Sequence, residues 1–290
     1  GSFLVARNAD SDPLKAQRMV VHPERRNQKG VYRTKDYGGA TAFEYPLPKH
    51  SLRYTTVPNW KTGLHGGVGF NAKGVGVSAT ESIFARDDAL KLDPYNKATG
   101  ITEDDIPDVL LSRSKTARDG VALLGEIVET IGAGEGFGVA IADSREVWYF
   151  ETGTGHQWMA AKLPEDVFFA SANQGRLQAY RKDDPDVMGS ATLVEWAEKN
   201  GFYNPKKDGE FTDVYTPSDK TSGKDTRVDV TQYTQNKGDI YVKVSFPPVG
   251  YIDWASLWAI YANAEYVEGT PEQDTSSTER IAMIDYSKDN

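Results

Sequence analysis

Cysteine is absent from all 290 residues, which excludes disulfides, thiolate metal sites and any cysteine nucleophile supplied from within this stretch of chain. Histidine is scarce. His22, His50, His65 and His156 lie far apart, with no His-Glu-x-x-His or related ligating spacing, so neither a histidine metal centre nor a cofactor is expected. No apolar run approaches the roughly 18 residues that span a bilayer, and mean hydropathy is −0.55, so a membrane-spanning helix is not expected. Positive charge is short: 33 Lys and Arg against 42 Asp and Glu leave a net charge of −9, with a pI near 5.1. A surface that neutralises phosphates is therefore not expected, and nucleic acid is disfavoured as a partner. Gly-x-Ser-x-Gly is also missing, which removes the nucleophile elbow of the α/β hydrolases.

What is present is ordinary globular material, 39% hydrophobic and 26% charged, read here as one domain over residues 1–290. Phe3 to Ala6 reads as a strand that runs into a polar turn at Arg7, Asn8, Asp10 and Ser11. Residues 22–50 are mixed and polar and read as a solvated loop. From Gly66 to Ser82, two β-like segments flank Asn71–Gly74, a hairpin whose turn residues tolerate positive φ. Thr102 followed by Glu103, Asp104 and Asp105 predicts a short helix toward Ser112. A longer helix is predicted from the spacing of Ala117, Val121, Leu124, Val128 and Ile131, with Thr116 at its start and Gly132 at its stop.

Beyond Gly132 the period changes to two. Phe137–Ala142, Val147–Glu151, His156–Ala161 and Val167–Ser171 read as an antiparallel meander. The glycine-rich run from Gly132 to Gly138 follows a helix and precedes a strand, the reverse of a dinucleotide loop, so it reads as a helix stop. Ser190 is expected to cap a helix through Lys199, and Asp253 another to about Glu265. Residues 204–226 are expected to form a long loop. Helices segregated from antiparallel strands make the class α+β. Arg7 and Asp10, three residues apart at a strand-to-turn junction, can leave a fixed cation and carboxylate at a sheet rim, although spacing alone favours an ordinary structural ion pair.

Phe3–Asp10, Leu52–Pro58, Gly69–Glu81, Ser114–Gly120, Val147–Thr152, Gly155–Trp158 and Ala172–Gln174, in that order and spacing, resemble the C69 dipeptidase family. The resemblance thins after Gln174 but stays collinear to Arg280. It implies an N-terminal nucleophile hydrolase, a four-layer αββα sandwich of two antiparallel sheets. In such enzymes the first residue, here a cysteine, attacks the amide carbonyl, and its own α-amine, with a pKa of about 8, serves as the base. That cysteine would stand upstream of Gly1. The 290 residues are thus expected to lack the first strand and a C-terminal portion of a longer chain.

Carried over residue by residue, Arg7 and Asp10 would flank the nucleophile. Arg7 would hold a thiolate or substrate carboxylate, and Asp10 would orient the α-ammonium group. Asn173 matches an oxyanion-hole position. Glu81 falls where related acylases carry an amide. A carboxylate opposes an oxyanion, so Glu81 is expected to meet the free ammonium of a peptide, with Thr80 and Arg227 as further substrate-binding residues. The resemblance implies small peptides as substrates, with an acylase of the bile-salt or penicillin type and an inactive peptide-binding relative as alternatives. A homo-oligomer is allowed for. Loops rich in Tyr, Thr and Asn lean toward secretion or the cell envelope over the cytoplasm.

Overall fold

The computed structural model describes residues 3–7, 18–34, 41–58, 66–81, 83–165, 169, 171, 175–177, 180–208, 211, 234–236, 239–245, 265–266 and 279–285. The backbone groups into two units that interleave along the chain. One takes residues 1–5, 11–167 and 177–217, the other 6–10, 168–176 and 218–290.

An eight-stranded sheet is the frame of the first unit. Its strands are β1 (Val20–His22), β6 (Tyr54–Pro58), β7 (Gly66–Asn71), β8 (Gly76–Glu81), β9 (Phe137–Ala142), β10 (Val147–Thr152), β11 (Trp158–Lys162) and β12 (Val187–Gly189), side by side in that order. Every neighbouring pair is antiparallel. Two short ladders accompany it: β2 (Arg25–Arg26) with β5 (His50–Ser51), and β3 (Val31–Arg33) with β4 (Glu44–Pro46). Between β8 and β9 come the helices α1 (Asp87–Leu92), α2 (Ile106–Leu111) and α3 (Ala117–Thr130), and after β12 comes α4 (Leu193–Lys199).

The predicted hairpin is β7–β8. Gly74 takes φ +79, and Asn71 Oδ1 accepts the N–H groups of Lys73 and Val75 at 2.9 and 3.1 Å. The same side chain donates through Nδ2 to the carbonyls of Leu111 and Ser114 at 3.0 and 2.8 Å, fastening the turn to the end of α2. One asparagine thus shapes the hairpin and docks the helix.

α3 is the helix its spacing predicted. Thr116 caps it through a reciprocal box with Asp119, and Gly132 follows the stop with φ +99. Its buried face presents Val121, Leu124, Ile127 and Val128. Burying side chains of this size is worth about 2 kcal/mol apiece. At Gly125 a Cβ would collide with the Trp158 indole, so the missing side chain lets helix and sheet approach. Trp158 stacks on Phe150 at 4.8 Å and donates Nε1–H to Glu129 at 3.0 Å. α2 and α3 cover one face of the sheet, and the core between them holds Ile106, Leu110, Leu124, Ile127, Ile141 and Trp148.

Several local expectations are corrected. Phe3–Ala6 lies outside any sheet among the described residues; its β-favouring side chains have no ladder partner there. Residues 22–50 carry β2 to β5 instead of a plain loop, because Tyr32, Phe43 and Tyr45 cluster at ring distances of 6.2 and 6.3 Å and draw the segment onto the core. The short helix begins at Ile106, with Pro107 in its first turn; Thr102 spends its hydroxyl on Asp105 Oδ2 at 3.0 Å rather than on a cap. α4 begins after Thr192, since Ser190 Oγ is bound to Gln157 Oε1 at 2.7 Å. Next to β11 stands β12, not Val167–Ser171; of that run, Phe169 and Ser171 are described and belong to no strand. Most of the loop expected at 204–226, and the helix expected from Asp253, lie outside the described residues.

The second unit holds a four-stranded antiparallel sheet of β13 (Thr234–Asn236), β14 (Asp239–Ser245), β15 (Glu265–Tyr266) and β16 (Glu279–Asp285), ordered β13-β14-β16-β15. Antiparallel sheets with segregated helices are the α+β class that the sequence predicted.

Candidate active site

Alternation along a strand divides the large sheet into two faces. One carries α2 and α3. On the other, register aligns Thr80, Gly138, Glu151 and Met159 across β8 to β11, and beside them Ser78, Ala140, Tyr149 and Ala161. Serine, glycine and alanine keep the floor of this face low, and Tyr149 and Glu151 are its large polar groups. A Cβ on Gly138 would strike the Tyr149 hydroxyl, so the phenol lies directly over that glycine. Thr80 Oγ1 donates to the Gly138 carbonyl at 3.3 Å. Glu151 is only 4% exposed, and its Oε2 accepts the Leu177 N–H at 2.9 Å.

A corner rich in carboxylates closes the end of β8. Glu103 donates its N–H to Glu135 Oε1 at 2.8 Å, and its own Oε2 accepts the Glu81 N–H at 2.7 Å. Asp104 adds a fourth acid. Burial pushes Glu135 up to about 8; the Glu103 N–H works against the rise, and the charges of Glu81, Glu103 and Asp104 add to it. Such a corner favours a cation, because any ammonium that enters relieves repulsion among the acids.

Beneath the helix-bearing face a second polar network is structural. Tyr32 donates to Asp105 and Tyr54 to Asp108, each at 2.9 Å, and His22 stacks on Tyr54 at 4.2 Å while its Nε2 meets Thr56 Oγ1 at 2.9 Å. Burial raises both phenols far above their ordinary range, so they stay protonated donors. His156 Nδ1 lies 2.7 Å from Asp93, and His50 Nε2 lies 2.9 Å from Glu24. These histidines serve as polar packing partners.

Of the six residues singled out from the sequence, Asp10, Asn173 and Arg227 lie outside the described residues. Arg7 is half-buried and belongs to the second unit. Thr80 and Glu81 are consecutive in β8, so they point to opposite faces: Thr80 toward Gly138 and Glu151, Glu81 toward the carboxylate corner. Sequence reasoning missed Glu103, Glu135, Tyr149 and Glu151. For Glu151 a signal existed, an acid within the otherwise apolar run Val147–Phe150. For Glu135 there was none, since a glutamate in a glycine-rich turn is unremarkable.

Comparison with known proteins gives a consistent picture. The model of peptidase family C69 matches residues 1–249. A protein named probable dipeptidase from Salmonella dublin is 49% identical over 214 residues, covering 73% of this chain and 48% of its own length. A probable dipeptidase from Latilactobacillus sakei is 36% identical over 219 residues, covering 74% of this chain and 45% of its own length. The chain thus spans about half the length of the curated relatives it matches. Among solved structures, penicillin V acylase from Agrobacterium tumefaciens shares 12% identity at a TM-score of 0.31, over 50% of this chain and 46% of that one, a likeness too slight to carry weight. With the family model matched through residue 249 and a relative 49% identical, this chain belongs to peptidase family C69.

Proposed function

We propose that the protein containing this chain is a dipeptidase that hydrolyses short peptides with a free amino terminus. The observation that carries the reading is the family match, joined to relatives named probable dipeptidases of which this chain spans about half the length. The nucleophile is an N-terminal cysteine that is not among these 290 residues. Its thiolate attacks the scissile carbonyl, the carbon–nitrogen bond breaks as the α-ammonium protonates the leaving amine, and water then hydrolyses the thioester. Arg7 and Asp10 set the charge around that thiolate and amine, and Asn173 donates to the developing oxyanion. Glu81, backed by Glu103 and Glu135, supplies negative charge for the substrate ammonium. Arg227 completes the substrate contacts, while Thr80, on the opposite face of β8 from Glu81, supports the strand through its bond to the Gly138 carbonyl.

Kinetics of the full-length protein on a dipeptide panel, with free and N-acetylated amino termini, tests the reading. Arg7→Ala and Asp10→Ala are expected to lower kcat/KM at least about 100-fold with the circular dichroism spectrum unchanged. Glu81→Gln is expected to raise KM about 10-fold for free dipeptides, a loss of roughly 1.4 kcal/mol. Equal turnover of acetylated and free substrates, together with an unchanged KM in Glu81→Gln, would replace the dipeptidase by an acylase.

A further inference from the structure

The acids at the end of β8 come from three separate stretches of the first unit: Glu81 from one, Glu103 and Asp104 from another, Glu135 from a third. Their like charges push against one another, so the corner keeps its shape only if the backbones that carry it are fastened from outside. The fastening is a weave between residues 95–103 and 131–136. Ile101 donates its N–H to the Gly132 carbonyl at 3.0 Å and accepts the Gly134 N–H at 2.8 Å, forming a parallel bridge with Ala133. Gly134 immediately precedes Glu135, and Glu103 lies two residues beyond Ile101. Asn96 latches this weave. Its N–H goes to the Ala133 carbonyl and its own carbonyl accepts the Gly100 N–H, each at 2.8 Å. Its side chain works on both stretches: Oδ1 accepts the Thr99 N–H at 3.1 Å, while Nδ2 donates to Thr99 Oγ1 at 2.9 Å and to the Ile131 carbonyl at 2.8 Å. Ile131 is the C-cap of α3, so its carbonyl has no partner within the helix, and Asn96 supplies one from the neighbouring stretch.

We propose that Asn96 is a positioning residue for substrate binding: by joining the Thr99 turn to the end of α3 it sets the separation of Glu103 and Glu135, and with it the place of Glu81 and the hold of the corner on the peptide ammonium. This rests on the function proposed above. Glu103 passes the setting on, since its N–H meets Glu135 Oε1 and its Oε2 meets the Glu81 N–H. The pull of carboxylates on an ammonium falls with separation, so a corner whose arms part loses affinity while the groups that cleave the peptide bond are untouched. Asn96 need not touch the substrate to act in this way.

The test measures kcat, KM and thermal melting of the full-length protein on a dipeptide with a free amino terminus. Asn96→Ala removes the whole latch, Asn96→Asp keeps the oxygen that shapes the Thr99 turn but loses both donated bonds, and Thr99→Ala removes the Thr99 hydroxyl while leaving the bond to Ile131. Asn96→Ala is also combined with Glu81→Gln. The expected result is a KM raised about 5-fold in Asn96→Ala and Asn96→Asp with kcat within about 2-fold of wild type, and both constants unchanged in Thr99→Ala. In the Glu81→Gln background Asn96→Ala is expected to add no further rise, because two changes that act through one corner are not additive. An unchanged KM in Asn96→Ala, or KM rises that multiply in the double variant, overturns the proposal; an asparagine with a structural role alone lowers the melting temperature and shows neither the KM rise nor the coupling. Should Asn96→Ala not fold, Asn96→Asp takes its place in the same cycle. Failure of the ammonium-binding reading is visible separately, as a KM left unchanged by Glu81→Gln itself, and the proposal falls with it. A KM raised by Glu81→Gln and unmoved by Asn96→Ala counts against Asn96 alone.

Discussion

Glu135 would have to release its proton into a corner that already holds Glu81, Glu103 and Asp104, and burial opposes its charge as well. Its folded-state pKa, about 8, lies above the ordinary 4.5. Below 4.5 the side chain is protonated whether folded or unfolded and has no pH-dependent effect. As pH rises from 4.5 through 8 the unfolded chain loses this proton while the folded chain keeps it, so stability falls across that window and levels off above it. Glu135→Gln retains an oxygen for the Glu103 N–H and removes the titration. Denaturant unfolding is therefore expected to show the variant gaining about 4 kcal/mol relative to wild type between pH 5 and pH 8.5. An identical pH dependence in both proteins would contradict the corner's electrostatics. The corner was not legible in the sequence, because the Glu103–Glu135 contact joins residues 32 apart and Glu81 arrives from a third segment. The roles proposed for Arg7, Asp10, Asn173, Glu81 and Arg227 come only from the family resemblance, since an Arg-x-x-Asp pair alone fits an ordinary ion pair.

Among the elements, α3 combines two opposing demands on its sequence. In an isolated helix Gly125 would be a liability, with alanine better by about 1 kcal/mol. Here the Trp158 indole occupies the space that a Cβ would need. Gly125→Ala is expected to destabilise the protein by about 2 kcal/mol in spite of its higher helix propensity, measured as a lowered denaturation midpoint. A gain in stability would show that the indole moves aside at no cost. Loss of the capping box in Thr116→Ala is expected to cost about 1 kcal/mol by the same measurement. Elements of this kind were readable in advance because their signals are local: Thr116 and Asp119 sit three apart, the apolar stripe repeats every turn, and Asn71 with Gly74 marks the hairpin. Strands β2 to β5 were not readable. They are two or three residues long, and the aromatic cluster that holds them forms only once Tyr32, Phe43 and Tyr45 meet on the core.

For the molecule as a whole, the absence of cysteine and a match to about half the length of its relatives have one joint consequence. On the proposed mechanism, the 290-residue chain, which has no cysteine, is expected to cleave no dipeptide and to be untouched by iodoacetamide, whereas a longer chain carrying the proposed amino-terminal cysteine is expected to be inactivated by alkylation. Intact mass and a turnover assay on both samples check this; dipeptide cleavage by the 290-residue chain would refute the cysteine mechanism. At this scale the α+β class was legible, because helical and alternating periods occupy separate stretches of the sequence. The order of the sheet was legible only within β7–β8 and within β9–β11, where short loops make neighbours in the chain neighbours in space; the β8–β9 pairing across the helices was not. That same ordering bears on how the chain finds its structure. Within β6–β8 and within β9–β11 each strand pairs with the next through a short loop, so these two meanders gain contacts at little entropic expense, whereas β8 meets β9 only across the segment that carries α1 to α3. β1 must instead bridge more than thirty residues to reach β6, and it does so with three residues at the sheet's margin. The two meanders are therefore the natural starting points for assembly, their junction at β8–β9 comes later, and Val20–His22 at the margin is expected to be among the first strands to open.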